Sequence, residues 1–249
     1  MDPLVLRPRK AMEIVDAAIE VYRRNPTHFM LVTAAVQVPW LVLQLVLLGN
    51  APPTDRLGTT LLLSLGTLIS QLFTTAIVVQ LASDIYLGRE TDAFVSVQRI
   101  GRGILTAFFA SILQSCLIIF GLILFLLPAV YWSALYFAVL PAIVIEKHSL
   151  LGSFSRSAQL SRDLKLHILG ALGVVVAIRF AIALGVGVVA ALVPNFMIQH
   201  VLTALTSILV NPLAGIVDAL LYYDARIRHE GFDIEVMAGA MATTPAPAA

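Results

Sequence analysis

Charge is scarce in this chain. Only 12% of its 249 residues are Asp, Glu, Lys or Arg, against roughly 25% in a soluble domain. A fold so poor in charge cannot clothe its own surface in water. With 59% hydrophobic residues and a mean hydropathy of +0.92, lipid becomes the expected solvent. Cysteine is nearly absent as well. The single one, Cys116, lies in an apolar run, which excludes an internal disulfide and argues against a cysteine-based metal site. Catalytic patterns are missing too: His28, His148, His167, His200 and His229 are scattered, with no HExxH and no GxSxG. The sequence therefore offers no catalytic residue, no metal ligand set and no cofactor, and the reading leans against an enzyme. "GVGVVA" at 185–190 fits a loose GxGxxA pattern, but no strand precedes it, which argues against a dinucleotide site. The first 28 residues carry charges and no apolar core, so no cleavable signal peptide is expected.

What is present is long apolar runs. About 20 such residues cross a bilayer's hydrocarbon, and six stretches meet or approach that length: 29–48, 61–82, 104–127, 129–145, 166–193 and 196–223. Only Pro128 separates the third from the fourth, and only Pro194–Asn195 the fifth from the sixth, so each pair reads as a tight hairpin. Pro39 and Pro212 are expected to kink the first and last spans. Lys and Arg fall unevenly between the loops. Arg7, Arg9, Lys10, Arg23 and Arg24 precede the first span; Arg89, Arg99 and Arg102 follow the second; Lys147, Arg156, Arg162 and Lys165 follow the fourth; Arg226 and Arg228 follow the sixth. The alternate loops hold Arg56 alone. The positive-inside rule then puts both termini in the cytoplasm of a multi-pass protein of the bacterial inner membrane.

The basic segments carry amphipathic patterns. In "AMEIVDAAIEVYRR", 11–24, Glu13, Asp16, Glu20 and Arg23 share one helical face while Met12, Val15, Ile19 and Tyr22 share the other. Segment 91–102 repeats the theme, with Asp92, Ser96, Arg99 and Arg102 opposite Phe94, Val97 and Ile104, and 149–164 repeats it less cleanly. The expected fold is thus all-α: six transmembrane helices plus about three interfacial helices. They group into three units of one amphipathic helix and a hairpin, 9–87, 91–147 and 149–226. One transmembrane domain covers 1–237, and a disordered Ala/Pro-rich tail covers 238–249. Aromatic residues near span ends, Tyr222 and Tyr223 among them, read as an interfacial belt, with Arg226 and Arg228 as anchors.

"LRPRKAMEIVDAAIEVYRRN", "YLGRE", "SFSRSAQLSRDLKLHILG" and "NPLAGIVDALLYYDARIRHEGFDIE" together resemble the bacterial glycerophosphoryl diester phosphodiesterase membrane domain and related uncharacterised membrane families. The resemblance covers nearly the whole chain. It implies the membrane part alone, since the six spans leave no room for a phosphodiesterase barrel, and it carries no residue-by-residue function.

Several residues invite a role. Arg179 lies inside the fifth span, where a charge costs at least about 2.5–3.5 kcal/mol on insertion scales, so it requires a partner or a wet cavity. Asp218 is the candidate partner, with Gln71, Gln114, Asn195 and His200 as alternatives. Gly173, Ala177, Ala181 and Gly185 recur every four residues, which marks the fifth span as a candidate bundle centre. Asp84, Glu146 and Asp224 close the second span of each unit, where the helix dipole disfavours acids; arginines of the interfacial helices are expected to hold them in an ion-pair ring. Arg23, Arg24, Arg99, Arg102, Arg156 and Arg162 are candidates for binding anionic lipid phosphates. Three functions follow in order of preference: a non-catalytic lipid-handling or scaffold domain, a small-molecule or lipid transporter or channel working through Arg179, and an intramembrane lipid enzyme. The partners expected are anionic membrane lipids, protein partners or further copies of the chain, and no nucleic acid.

Overall fold

The computed structural model describes residues 7–50, 56–89, 93–101, 103–193 and 195–234. The tail expected at 238–249 and Arg102 lie outside them. The described residues form helices and no strand: α1 (Ala11–Arg24), α2 (Pro26–Asn50), α3 (Arg56–Tyr86), α4 (Ala93–Ile100), α5 (Gly103–Leu124), α6 (Leu126–Leu135), α7 (Val139–Val144), α8 (Leu150–Leu160), α9 (Lys165–Ala191) and α10 (Phe196–Glu230). Six segments are long and apolar enough to cross a membrane, the fourth being α6 and α7 together over Leu126–Val144. The chain is an all-α polytopic membrane protein.

The short helices obey local rules. In α1, Glu13 sits in the first turn and Arg23 and Arg24 in the last, each sign matched to the helix dipole. Its apolar face, Ile14, Val15, Ala18 and Val21, is buried against α9 and α10. Ser149 caps α8 by accepting the Gly152 N–H, and Asn195 caps α10 by accepting from Met197 and Ile198. At the far end of α10, Gly231 takes the left-handed conformation (φ 65°) that ends many helices.

The hairpin between the third and fourth spans turns one step earlier than Pro128 suggests. Phe125 alone is extended between α5 and α6, and Pro128 falls in the first turn of α6, where its missing N–H costs nothing. The chain can turn so tightly because Gly121 has no side chain: a Cβ there would lie 2.8 Å from the Ala129 nitrogen and 2.9 Å from the Trp132 ring.

The fourth span is broken. Between α6 and α7 the residues Tyr136–Ala138 form turns, because Pro141 cannot bond back and its ring would clash with the carbonyl of Phe137. Backbone freed at such a break must find partners within the protein. Gln114 of α5 donates to the Tyr136 carbonyl at 3.0 Å. Ser157 of α8 donates to the Leu135 carbonyl at 2.9 Å and accepts from the Ala138 N–H at 3.0 Å.

The centre of the bundle is α10, not α9. The last helix packs against α1, α2, α3, α8 and α9, and Ile216, Val217, Ala219, Leu221, Tyr222 and Tyr223 are buried in the core. Tyr222 and Tyr223 therefore form no interfacial belt. Tyr223 shares a 2.6 Å hydrogen bond with Ser83 and stacks on Tyr86 and Phe232. On α9 only Ile168, Ala171 and Val175 are buried. The stripe of Gly173, Ala177, Ala181 and Gly185 is exposed, and added Cβ atoms at Gly173 and Gly185 would meet nothing within 4 Å.

Burial divides the bundle along its length. At the end bearing α4 and α8, residues 76–82 of α3, 168–175 of α9 and 216–227 of α10 supply much of the core. Towards the other end Leu61, Leu65, Leu68, Val176, Phe180, Leu184, Val188, Met197, Leu205 and Leu209 stand exposed. This bare zone, about 25 Å long on α9 at 1.5 Å per residue, is what the acyl chains must cover.

Candidate functional site

Arg179 stands one turn beyond Val175, the last buried residue of α9, where the packed end gives way to the bare zone. Its Nη2 donates to Asn211 Oδ1 at 3.1 Å. Asn211 in turn donates from Nδ2 to Gln71 Oε1 at 2.7 Å. Three spans, α9, α10 and α3, thus contribute one side chain each to an oriented chain of hydrogen bonds. Of the five N–H donors on a guanidinium, this arrangement uses one.

These residues line a cleft of about 280 Å³, completed by Ala183, Val186, Gly187, Thr203, Thr206 and Ser207 among others. Gly187 has no neighbour within 4 Å of where its Cβ would be, so part of the cleft wall on α9 is simply missing bulk. Asp218 lies two turns further along α10, half-buried and within electrostatic reach of Arg179. The guanidinium nevertheless bonds Asn211 and not that carboxylate.

A second cavity of about 190 Å³ adjoins the first. Gln37, Trp40, Gln44, Thr67 and His200 line it, and it shares Thr203 and Ser207 with the Arg179 cleft. Thr67 organises its wall: Trp40 Nε1 donates to the Thr67 hydroxyl at 3.1 Å and Gln44 Nε2 at 2.9 Å. Gly66 makes room for the indole, since a Cβ there would collide with it at 1.9 Å.

The packed end carries a different constellation. Asp84, fully buried, accepts from Ser96 at 2.8 Å and Gln80 at 3.2 Å and pairs with Arg99 at 2.8 Å. Glu146 takes Arg156 on both oxygens and His148 at 2.8 Å, with Arg226 at 3.5 Å. Asp224 accepts the main-chain N–H of Arg9 at 2.7 Å and meets Arg228 at 2.7 Å and His167 at 3.0 Å. Asp84 and Glu146 pair with arginines of the amphipathic helix that follows, as expected; Asp224 does not, since its ionic partners are Arg228 of its own helix and His167 of α9, with the main chain before α1 adding an N–H. Burial pushes the Glu146 carboxyl up. The hydrogen bonds from Arg156, with the charges of Arg156 and Arg226, outweigh it and hold the group at about 2.

The six arginines proposed from the sequence for lipid phosphates divide accordingly. Arg99 is committed to the buried Asp84 and Arg156 to the half-buried Glu146, Arg156 also gripping Glu230. Arg24 pairs with Glu20 on α1. Arg23 and Arg162 are exposed. Of the intramembrane candidates, Gln71 joins Arg179 through Asn211, while Gln114 serves the broken span. Asn211 went unread in the sequence, although a lone amide before a proline in an apolar run was the signal.

No family model matches the chain, and neither a curated protein nor a solved structure does.

Proposed function

We propose that this is a non-catalytic, lipid-handling membrane protein that takes the phosphodiester of an anionic lipid into the cleft at Arg179. One observation carries the reading: a guanidinium held by Asn211 and Gln71 in a mostly apolar cleft at the edge of the lipid-facing zone. A cation there repels acyl chains and attracts a phosphodiester, most strongly one whose headgroup brings no compensating cation. A guanidinium matches phosphate oxygens geometrically as well as in charge. The loop charges favour the bacterial cytoplasmic membrane with both termini inside, and the motif resemblance to the glycerophosphoryl diester phosphodiesterase membrane domain is a proposal of kinship in the same direction. The test is native mass spectrometry of the protein released from detergent with phosphatidylglycerol. The wild type should retain it and Arg179→Gln should lose it, with phosphatidylcholine retained poorly by both. Equal retention by the two proteins would defeat the reading.

A further inference from the structure

We infer that Asp218 is the proton-binding counter-charge of Arg179, so that a lipid phosphodiester enters the cleft together with a proton. The inference rests on the proposed headgroup site and assigns its regulation. Among the acids in or beside the spans, Asp84, Glu146 and Asp224 each hold an arginine and further donors. Asp218 differs. It is half-buried in α10, and among the described residues it accepts no hydrogen bond and forms no ion pair. The one charge that acts on it is that of Arg179. The register of α9 and α10 sets the two residues towards each other. His167 meets Asp224 and Arg179 meets Asn211, so the helices run antiparallel. Asp218 lies seven residues beyond Asn211, two turns and about 10 Å along the same face of α10. Helical side chains lean towards the N-terminus of their own helix. In an antiparallel pair that lean converges: Asp218 leans back towards Asn211, and Arg179 leans towards the packed end where Asp218 stands.

Charge balance supplies the coupling. With the cleft empty, Arg179 and an ionised Asp218 cancel. A phosphodiester adds a second negative charge, and two anions sharing one guanidinium repel each other in a medium of low dielectric. A proton on Asp218 removes that repulsion and leaves Arg179 to the phosphate. The phosphodiester and the proton therefore favour each other's binding by the same factor. Among the described residues no other group of the seam takes this role. Against α10, α1 packs Ile14, Val15, Ala18 and Val21 and turns Asp16, Glu20, Arg23 and Arg24 outwards; its Tyr22 hydroxyl donates to the Leu209 carbonyl. From α3 come Gln71, and Asp84 already paired with Arg99. The one ionisable side chain of α8, Arg156, is held by Glu146 and Glu230, and that of α2 is His28. Tyr222, one turn along α10, is a phenol and stays neutral well above neutrality. His167, bonded to Asp224, and His200, in the adjoining cavity, remain as the groups to control for.

The test titrates phosphatidylglycerol onto the full chain in neutral detergent and reads retention by native mass spectrometry. Samples are equilibrated between about pH 5 and about pH 8, a window in which histidine also titrates. The wild type should bind more tightly as pH falls, by up to about tenfold per pH unit, the limit for one linked proton. Asp218→Asn, neutral at every pH, should bind throughout at the wild type's low-pH level; Asp218→Ser is a second neutral variant should the amide fail to fold. Asp218→Glu should restore the dependence, and His167→Gln and His200→Gln should leave it in place. A flat wild-type profile, a dependence that survives in the neutral Asp218 variants, or one that vanishes with either histidine would overturn the coupling. If Arg179→Gln still loses the lipid in that case, the headgroup site stands without its proton. Retention indifferent to Arg179 at every pH would remove the site and the coupling together.

Discussion

Arg156 holds both carboxylate oxygens of Glu146, with Nε on one at 2.8 Å and Nη2 on the other at 2.7 Å. Arg156 is the seventh residue of α8, as Arg99 is of α4, and the fourth residue of each helix is a fully buried serine, Ser153 and Ser96. The seventh residue of α1 is Ala17, and there the main chain at Arg9 takes over. The serine and arginine thus recur at the same places in α4 and α8, and α1 has neither there. Breaking such a partly buried pair strands a charge, so Arg156→Ala should destabilise the protein by about 3 kcal/mol. Arg156→Lys should recover only part, because an ammonium cannot grip both oxygens in a fork. Thermal unfolding in detergent checks both. A lysine variant as stable as wild type would mean that the fork contributes nothing.

The same pair sets an acid limit. The Glu146 carboxyl is held at about 2, below its ordinary 4.5. A depressed acid contributes stability above its unfolded value and loses it as pH falls towards the folded one. Stability should therefore drop between about pH 4.5 and about pH 2, and Glu146→Gln should flatten its share of that drop while lowering stability near neutrality. Unfolding midpoints followed against pH for the two proteins decide it.

Gln114→Leu should weaken the broken span. The Tyr136 carbonyl would lose its donor where water is scarce, a loss of about 1–3 kcal/mol. Gln114→Glu should also fail, since a carboxylate accepts and cannot donate. Proteolysis near Tyr136, faster in both variants than in the wild type, is the expected readout.

Much of this was legible because it is local. The amphipathic period of α1 and the acids at 84, 146 and 224 announce themselves within a few residues, and the charges next to them name their partners. What stayed hidden depends on packing between distant segments. Tyr222–Tyr223 at a span end read alike whether they face headgroups or core; only the central place of α10 decides, and that follows from how all the helices assemble. The small residues of α9 promised close packing, yet among the described residues nothing lies within 4 Å of where a Cβ at Gly173 or Gly185 would be. Pro141 signalled trouble in the fourth span, but the repair by Gln114 and Ser157 lies 22 residues away on either side, beyond any window of local pattern.

Orientation is tested by labelling. With Cys116→Ser as background, a cysteine at Thr54 should react with an impermeant maleimide on intact cells, and cysteines at Arg23 or Arg162 should react only after lysis. The reverse pattern would turn the protein over in the membrane and reassign which leaflet faces Arg179.

The order in which the carboxylates find partners has a consequence for biogenesis. Asp84 leaves the ribosome before Arg99, and Glu146 before Arg156, so each of these hairpins enters the membrane before the arginine that pairs with its closing acid has been translated. Asp224 is the exception. Its main-chain partner at Arg9 was made first, and has waited through the synthesis of all six spans. The finished bundle is thus sealed by two segments 215 residues apart. A ribosome stalled after the second hairpin leaves a chain with a free amino-terminal segment and an incomplete ring, a state that membrane quality control could tell from the finished protein.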